Sequence, residues 1–313
     1  MTPAFVSSSN AGDIDVSVLL VTYNHADYIR AAAESVLGQR TSRRFELLIS
    51  EDASTDGTRE IVEEIAAGDP GIRTIFSREN LKSNETVLRA IQGARGRYIC
   101  LLDGDDLWLA DDKIDRQADI LDADDTLSGC FHNAHIALGN AFEPEERRWT
   151  PASQPSRTTA AMLWEGNPFA TCAGMLRRSA LGDLGSWYVD CFPITDWPLY
   201  LLCSEHGGLL FVDEPVGLYR LHDRGEMSGI AEEQRLKLVS RFYRQMKLAA
   251  DGRWAEQAGA GGSLYFAGEA VRLLAQEDRQ LARQCVMLAL QAGGVGRSIS
   301  WRAWLGLLRR SWT

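Results

Sequence analysis

Between residues 16 and 121, short β-branched apolar runs alternate with helical periodicity four times in succession. Residues 16–21, 45–49, 72–76 and 97–102 read as strands. After the first, Tyr28, Ile29, Ala32, Ala33, Val36 and Leu37 recur at spacings of three and four, and residues 58–67, 85–94 and about 112–121 repeat the pattern. Such alternation predicts a mostly parallel sheet covered by helices on both faces. With 45% apolar residues the chain can bury a real core. Open α/β sheets bind ligands outside the C-terminal ends of their strands, so the strand tips are where chemistry is to be read.

The fourth strand ends in Asp103-Gly104-Asp105-Asp106. Like charges this close raise one another's pKa and call for a compensating cation. Clustered carboxylates suit a hard ion such as Mg²⁺ or Mn²⁺, and a metal at a strand tip implies an anionic ligand, most simply a phosphate. The competing reading is a solvated acidic turn or helix N-terminus, where Asp is favoured anyway. An EF-hand loop is excluded, because Leu107 and Trp108 stand where an acid and a glycine are required. The second strand ends in Glu51-Asp52 and the first in Thr22-Tyr23-Asn24. An aromatic platform, a hydrogen-bonding carboxylate and a metal carboxylate on one rim match the base, ribose and pyrophosphate of a nucleotide diphosphate. Neither G-x-G-x-x-G nor G-x-x-x-x-G-K-[ST] is present, which argues against dinucleotide-binding and P-loop enzymes.

At this point the chain resembles a known family. Val-Ser-Val-Leu-Leu-Val-Thr-Tyr-Asn at 16–24, Glu-Asp-Ala-Ser-Thr-Asp-Gly-Thr at 51–58 and Leu-Leu-Asp-Gly-Asp-Asp at 101–106 are similar in order and spacing to family 2 inverting glycosyltransferases of bacterial polysaccharide type. Thr195-Asp196-Trp197 and Gly217-Leu218-Tyr219-Arg220-Leu221-His222 fit as well, so the resemblance covers roughly residues 14–225. It implies an α/β fold of the GT-A (nucleotide-diphospho-sugar transferase) class and a UDP-sugar or similar donor with Mn²⁺ or Mg²⁺. The acceptor would be a saccharide or lipid-linked saccharide. Thr22, Tyr23, Asn24, Asp52 and Asp103 would bind the nucleotide, with Asp52 accepting from the base. Asp105, Asp106 and His222 would hold the metal, and Asp196 would be the catalytic base. Glu51 replaces the usual Asp, and Thr195 the usual Glu. Ala173-Gly174 would either admit the donor sugar or pack tightly. Arg78 and Lys82 would reach the pyrophosphate or remain surface charge. Rival readings are a non-catalytic nucleotide- or glycan-binding module and a sugar-nucleotide pyrophosphorylase. The latter would need a Gly-rich loop where Thr22-Tyr23-Asn24 stands.

The remaining features set boundaries. A net charge of −10 argues against nucleic acid as a partner. Six cysteines without metal spacing read as buried free thiols of a reducing compartment. Residues 1–13 read as a disordered N-terminus without a signal peptide, and no run reaches the ~18 apolar residues of a membrane span. The expectation is a cytoplasmic protein, with a catalytic domain at 14–230 and a helical region at 231–313. Further strands are expected at 128–138, 171–176, 208–212 and 216–221, a helix at 197–205 and a loop at 139–157. Gly259-Ala260-Gly261-Gly262 is the expected break within the tail. After Asp278 the chain has six arginines and no acid, and Trp301, Trp304, Leu305, Leu308 and Trp312 share one helical face flanked by Arg302, Arg309 and Arg310. Residues 298–313 would therefore either contact the inner face of the plasma membrane or pack on the preceding helices or a second subunit of a homodimer.

Overall fold

The computed structural model describes residues 14–139, 141, 143–293 and 299–312, with Trp301 as backbone only; the expected disordered N-terminus lies outside the described residues. The first half alternates as the apolar pattern requires. It runs β1 (Val16–Thr22), α1 (Ile29–Leu37), β2 (Phe45–Glu51), α2 (Thr58–Gly68), β3 (Ile72–Phe76), α3 (Glu85–Gly93) and β4 (Tyr98–Asp103). There follow β5 (Leu107–Trp108), α4 (Lys113–Ala123), β6 (Leu127–Leu138), β7 (Arg157–Thr158), α5 (Ala160–Glu165), β8 (Gly174–Arg177), α6 (Gly185–Val189), α7 (Trp197–His206) and β9 (Gly208–Leu221). The tail is α8 (Glu232–Leu248), α9 (Ala255–Ala275), α10 (Arg279–Ala292) and α11 (Trp301–Trp312).

One mixed sheet is ordered β3-β2-β1-β4-β8-β6-β9-β5, with β7 on β9. The strands β3, β2, β1 and β4 are parallel, and β8 runs against its neighbours β4 and β6. Period-two alternation sends Leu19, Ile99 and Leu101 to one core and Val18, Leu20, Cys100 and Leu102 to the other. Helices α1, α2 and α4 cover the second face, whereas α3 and α7 cover the first. Strands buried on both faces explain why β4 reads as an unbroken apolar run and why only Ser17 interrupts β1 before its tip. The core containing Leu19 continues through Phe242, Phe266 and Val286 to Trp304, so the tail beyond residue 230 extends that core by packing on the helices that cover the sheet.

Several elements depart from expectation. The segments at 208–212 and 216–221 are one strand, because β9 stays paired with β6 through register shifts at His132–Ala134. Residues 171–173 form a 3-10 turn ahead of β8. The loop after β6 returns along that strand, Trp149 N–H donating to the Ala134 carbonyl at 2.9 Å. All six cysteines are free and buried.

The largest correction concerns the tail glycines, which lie inside α9 rather than between helices. Glycine is a poor helix former, but packing overrides that preference here. A Cβ on Gly261 would stand 2.2 Å from the Trp164 carbonyl oxygen of α5. Gly261→Ala is therefore expected to destabilise the protein by about 1–3 kcal/mol through overpacking. Gly268→Ala in the same helix has open space around it, and is expected to be neutral or stabilising by up to ~1 kcal/mol. Chemical denaturation of the two variants checks the pair, and equal stability would contradict this account.

In α11, Trp304, Leu307 and Ser311 are buried, whereas Leu305 is 61% and Trp312 50% exposed. The apolar face expected from the helical wheel is thus divided between the interior and solvent. Arg283 lies 5.4 Å from the Trp312 ring and donates to the Ser311 carbonyl, tying α11 to α10.

Candidate active site

The register of the parallel strands builds the rim. Thr22 pairs with Glu51 on one side, and Val21 with Asp103 on the other. Three strand tips spread over about eighty residues of sequence thereby open into one cleft of about 880 Å³. Thr22, Tyr23, Asn24, Asp52, Asp103, Asp105, Asp106 and Asp196 all line it. His222 is buried behind Asp105 and reaches the rim by placing Nε2 2.9 Å from Asp105 Oδ2.

Each wall has a local cause. Asn24 takes a left-handed backbone (φ 56°), a conformation Asn tolerates. Its Oδ1 accepts from Thr55 N–H and its N–H donates to the Ser54 hydroxyl, both at 2.9 Å, so the tips of β1 and β2 are laced together. Asp52 caps neither Ser54 nor Thr55; it accepts from the Leu81 N–H at 3.1 and 3.3 Å and holds the loop before α3. Glu51 is fully buried and paired with Arg59 at 2.9 Å, away from the cleft. Gly104 between the acids is required by close approach, since a Cβ there would meet Thr22 Oγ1 at 2.6 Å and His25 Nδ1 at 2.8 Å.

His25 is one of the residues that sequence reasoning missed. Its Nε2 stands 3.5 Å from Asp105 Oδ2, opposite His222. Arg220 completes the surround: its N–H donates to Asp106 Oδ1 and its Nε to the Asp105 carbonyl, each at 2.8 Å. The guanidinium lies over Tyr28 at 4.7 Å. Asp106 Oδ2 and His222 Nδ1 are buried and lack a hydrogen-bond partner.

These neighbours split the acids electrostatically. Burial, reinforced by Asp105 and Asp196, pushes Asp103 up to about 8. Burial and the same like-charge repulsion raise Asp106 well above the usual carboxylate range. Burial also opposes ionisation of Asp105, but His25 and His222 outweigh it and hold that carboxyl below its ordinary value. Asp105 is thus the charged member of the cluster.

Among the described residues, no group of three or more His, Cys, Asp or Glu side chains is placed to hold a metal ion. The rim instead offers Asp105 with His222, beside the unpartnered Asp106 oxygen. A small protein donor set completed by substrate phosphates suits Mg²⁺ or Mn²⁺. The residues present fit such an ion.

Asp196 caps α7, its Oδ1 accepting from Trp197 N–H at 2.7 Å. Its Oδ2 accepts from Asn167 Nδ2 at 2.8 Å and from the Thr171 hydroxyl at 3.4 Å. Burial nevertheless raises its pKa, these donors only moderating the shift. Asn167 lies in a region without periodic signal, and Thr171, expected to open a strand, sits instead in a 3-10 turn that aims its hydroxyl at Asp196. Arg78 and Lys82 are exposed and outside the cleft lining. Gly174 faces Phe131, whose ring a Cβ would meet at 2.7 Å, so tight packing accounts for it. The far wall includes Arg235 of α8 and Tyr265 of α9, so the tail helps shape the cleft.

The sheet order and acid-tipped strands define a GT-A fold. In the solved structures the chain is similar to TarS 1–349 of S. aureus in complex with UDP, with TM-score 0.64, 14% identity, and 95% of this chain and 87% of that one covered. It is also similar to the mannosyltransferase PcManGT of Pyrobaculum calidifontis in complex with GDP-Man and Mn²⁺, with TM-score 0.60, 18% identity and coverage of 97% and 81%. The glycosyl transferase family 2 model matches residues 17–185, and the chain belongs to that family. An uncharacterised protein of Mycobacterium tuberculosis is 29% identical over 67% of this chain, which spans 60% of that relative's length. The Escherichia coli glucosyltransferase WfaP, named for UDP-Glc and α-D-GlcNAc-diphosphoundecaprenol, is 35% identical over 56% of this chain and 65% of its own. Among the described residues no helix is long and apolar enough to cross a membrane.

Proposed function

We propose that the protein is a metal-dependent inverting glycosyltransferase that moves a sugar from a nucleotide-diphosphate donor, a UDP-sugar, to an acceptor hydroxyl. The observation that carries this reading is the convergence of Asp196 with Asp52, Asp103 and Asp105 on one cleft. In the reaction, the acceptor oxygen attacks the anomeric carbon as the bond to the leaving diphosphate breaks on the opposite face. Asp196 takes the acceptor proton, and a raised carboxyl pKa makes it a better base than a free aspartate. When bound, the divalent ion supplies positive charge against the growing charge of the diphosphate. Asp105 and His222, with Asp106 beside them, would hold it. Thr22, Tyr23 and Asn24 would line the base and ribose.

Asp52, once ionised, can only accept hydrogen bonds. Uracil, thymine and guanine present a ring N–H to such a group, whereas cytosine presents an acceptor. CDP is therefore expected to bind at least about tenfold more weakly than UDP, a difference of ~1.4 kcal/mol. The functional test is nucleotide release from UDP-, GDP-, dTDP- and CDP-sugars with Mn²⁺ or Mg²⁺ and a panel of saccharide acceptors. Metal-dependent release, favouring a UDP-sugar, supports the reading; no release from any donor contradicts catalysis.

A lipid-linked saccharide acceptor is the second part of the proposal, with α11 touching an anionic membrane. Exposed Leu305 and Trp312 beside exposed Arg302 and Arg310 support it, while Trp304 and Leu307 anchor the helix from within. Each surface arginine contributes about 1 kcal/mol near anionic lipid. The double variant R302E/R310E is expected to lose sedimentation with phosphatidylglycerol vesicles. Undiminished sedimentation, or none by the wild type, would contradict the membrane contact.

A further inference from the structure

Below the acid rim, the side chain of Lys113 is fully buried. Its amino nitrogen donates to Gln117 Oε1 at 2.7 Å and to the Gly174 carbonyl at 3.2 Å, and lies 4.2 Å from the centre of the Trp108 ring. A buried nitrogen costs stability unless it is hydrogen-bonded, and these contacts satisfy it. Gln117, oriented by Lys113, donates through Nε2 to the Ala173 carbonyl at 2.8 Å. Trp108 donates through Nε1 to the Cys172 carbonyl at 2.9 Å. Three consecutive carbonyls, 172, 173 and 174, are thus each gripped by one side chain from the segment that follows the acidic motif. The residue just before them is Thr171, whose hydroxyl bonds Asp196 and also faces Asp103.

We propose that Trp108, Lys113 and Gln117 are positioning residues that clamp the 171–174 turn from beneath and thereby fix the Thr171 hydroxyl against Asp196. The mechanical part rests on the hydrogen bonds alone, and the catalytic part on Asp196 as the base. The clamp links the two halves of the site: the chain that supplies the acid rim also sets the place of the group that steadies the base. Lysine suits the central position because it fills an apolar slot with its stem and still delivers donors to two oxygens. Methionine would fill the same slot and deliver none.

Two variants test it, Lys113→Met and the milder Trp108→Phe, which keeps an aromatic ring beside Lys113 but removes the indole donor together with part of the side-chain volume. Hydrogen exchange on the full chain is the first readout. Amides of 171–176 are expected to exchange at least tenfold faster in both variants, with those of β1 and β2 unchanged. Unchanged exchange in the turn overturns the clamp, and so does an equal increase throughout the sheet. The second readout is nucleotide release from the donor that the wild type turns over. Each variant is expected to lose tenfold to a hundredfold in kcat with the donor KM within threefold. Combining Lys113→Met with Thr171→Val should cost no more than the worse single change, since both act through one hydroxyl. Multiplicative losses, or a changed KM with kcat intact, overturn the positioning role. A wild type without turnover would sink the reading of Asp196 as base, while exchange would still decide the clamp.

Discussion

Asp196→Asn is expected to bind nucleotide diphosphate within about threefold of wild type while turnover falls by 10²–10⁴, roughly the contribution of a positioned general base. Asparagine preserves the shape of the side chain and the cap on Trp197 N–H, so the loss would report proton acceptance rather than collapse of the site. Two opposing effects act on the stability of this variant. Burial raises the Asp196 pKa in the folded protein above its unfolded value. Its contribution to stability therefore falls as pH climbs above the unfolded pKa of ~4, and stops falling once pH passes the folded value. A neutral side chain removes that penalty, but its new Nδ2 faces the Asn167 Nδ2 donor, so at pH 7 Asp196→Asn should melt close to wild type. Thermal unfolding beside a turnover assay checks both, and a variant that melts lower and binds nucleotide poorly would contradict the assignment.

Asp105→Asn is expected to abolish the gain in nucleotide affinity that Mn²⁺ gives, a loss of at least about a hundredfold. Asp105 is the carboxylate held charged by His25 and His222, whereas Asp103 and Asp106 resist ionisation. A cation arriving at the rim favours the ionised forms of both. Because Asp103 titrates near 8, metal-assisted affinity should rise as pH goes from 6 to 8, with protons released on binding. Titration in buffers of different ionisation enthalpy measures that release. Flat affinity over this range would contradict the cluster's electrostatics.

The fold was largely legible because doubly buried parallel strands announce themselves as apolar runs between helical periods. Legibility of the rim followed from the same fact: Thr22, Asp52 and Asp103 end strands that topology sets side by side. His25 escaped notice because its meaning lies in Asp105, eighty residues on, and in the close approach that Gly104 permits. Asn167 escaped because irregular backbone carries no period from which a direction can be read, and Thr171 because the apolar run that reads as a strand begins with a 3-10 turn. In the tail, glycines that spell a break in isolation are places where α9 meets α5 and α8 closely. The wheel of α11 identified an apolar face, but periodicity does not say which neighbour covers it. Trp304 turned inward and Leu305 outward for that reason.

The most direct test of the central claim is a calorimetric titration of UDP into wild type and Asp105→Asn, each with and without Mn²⁺. The account predicts binding that depends on the metal in the wild type and is lost in the variant. Binding that is indifferent to Mn²⁺, or equally strong in Asp105→Asn, would contradict a metal-assisted nucleotide-sugar site on this rim.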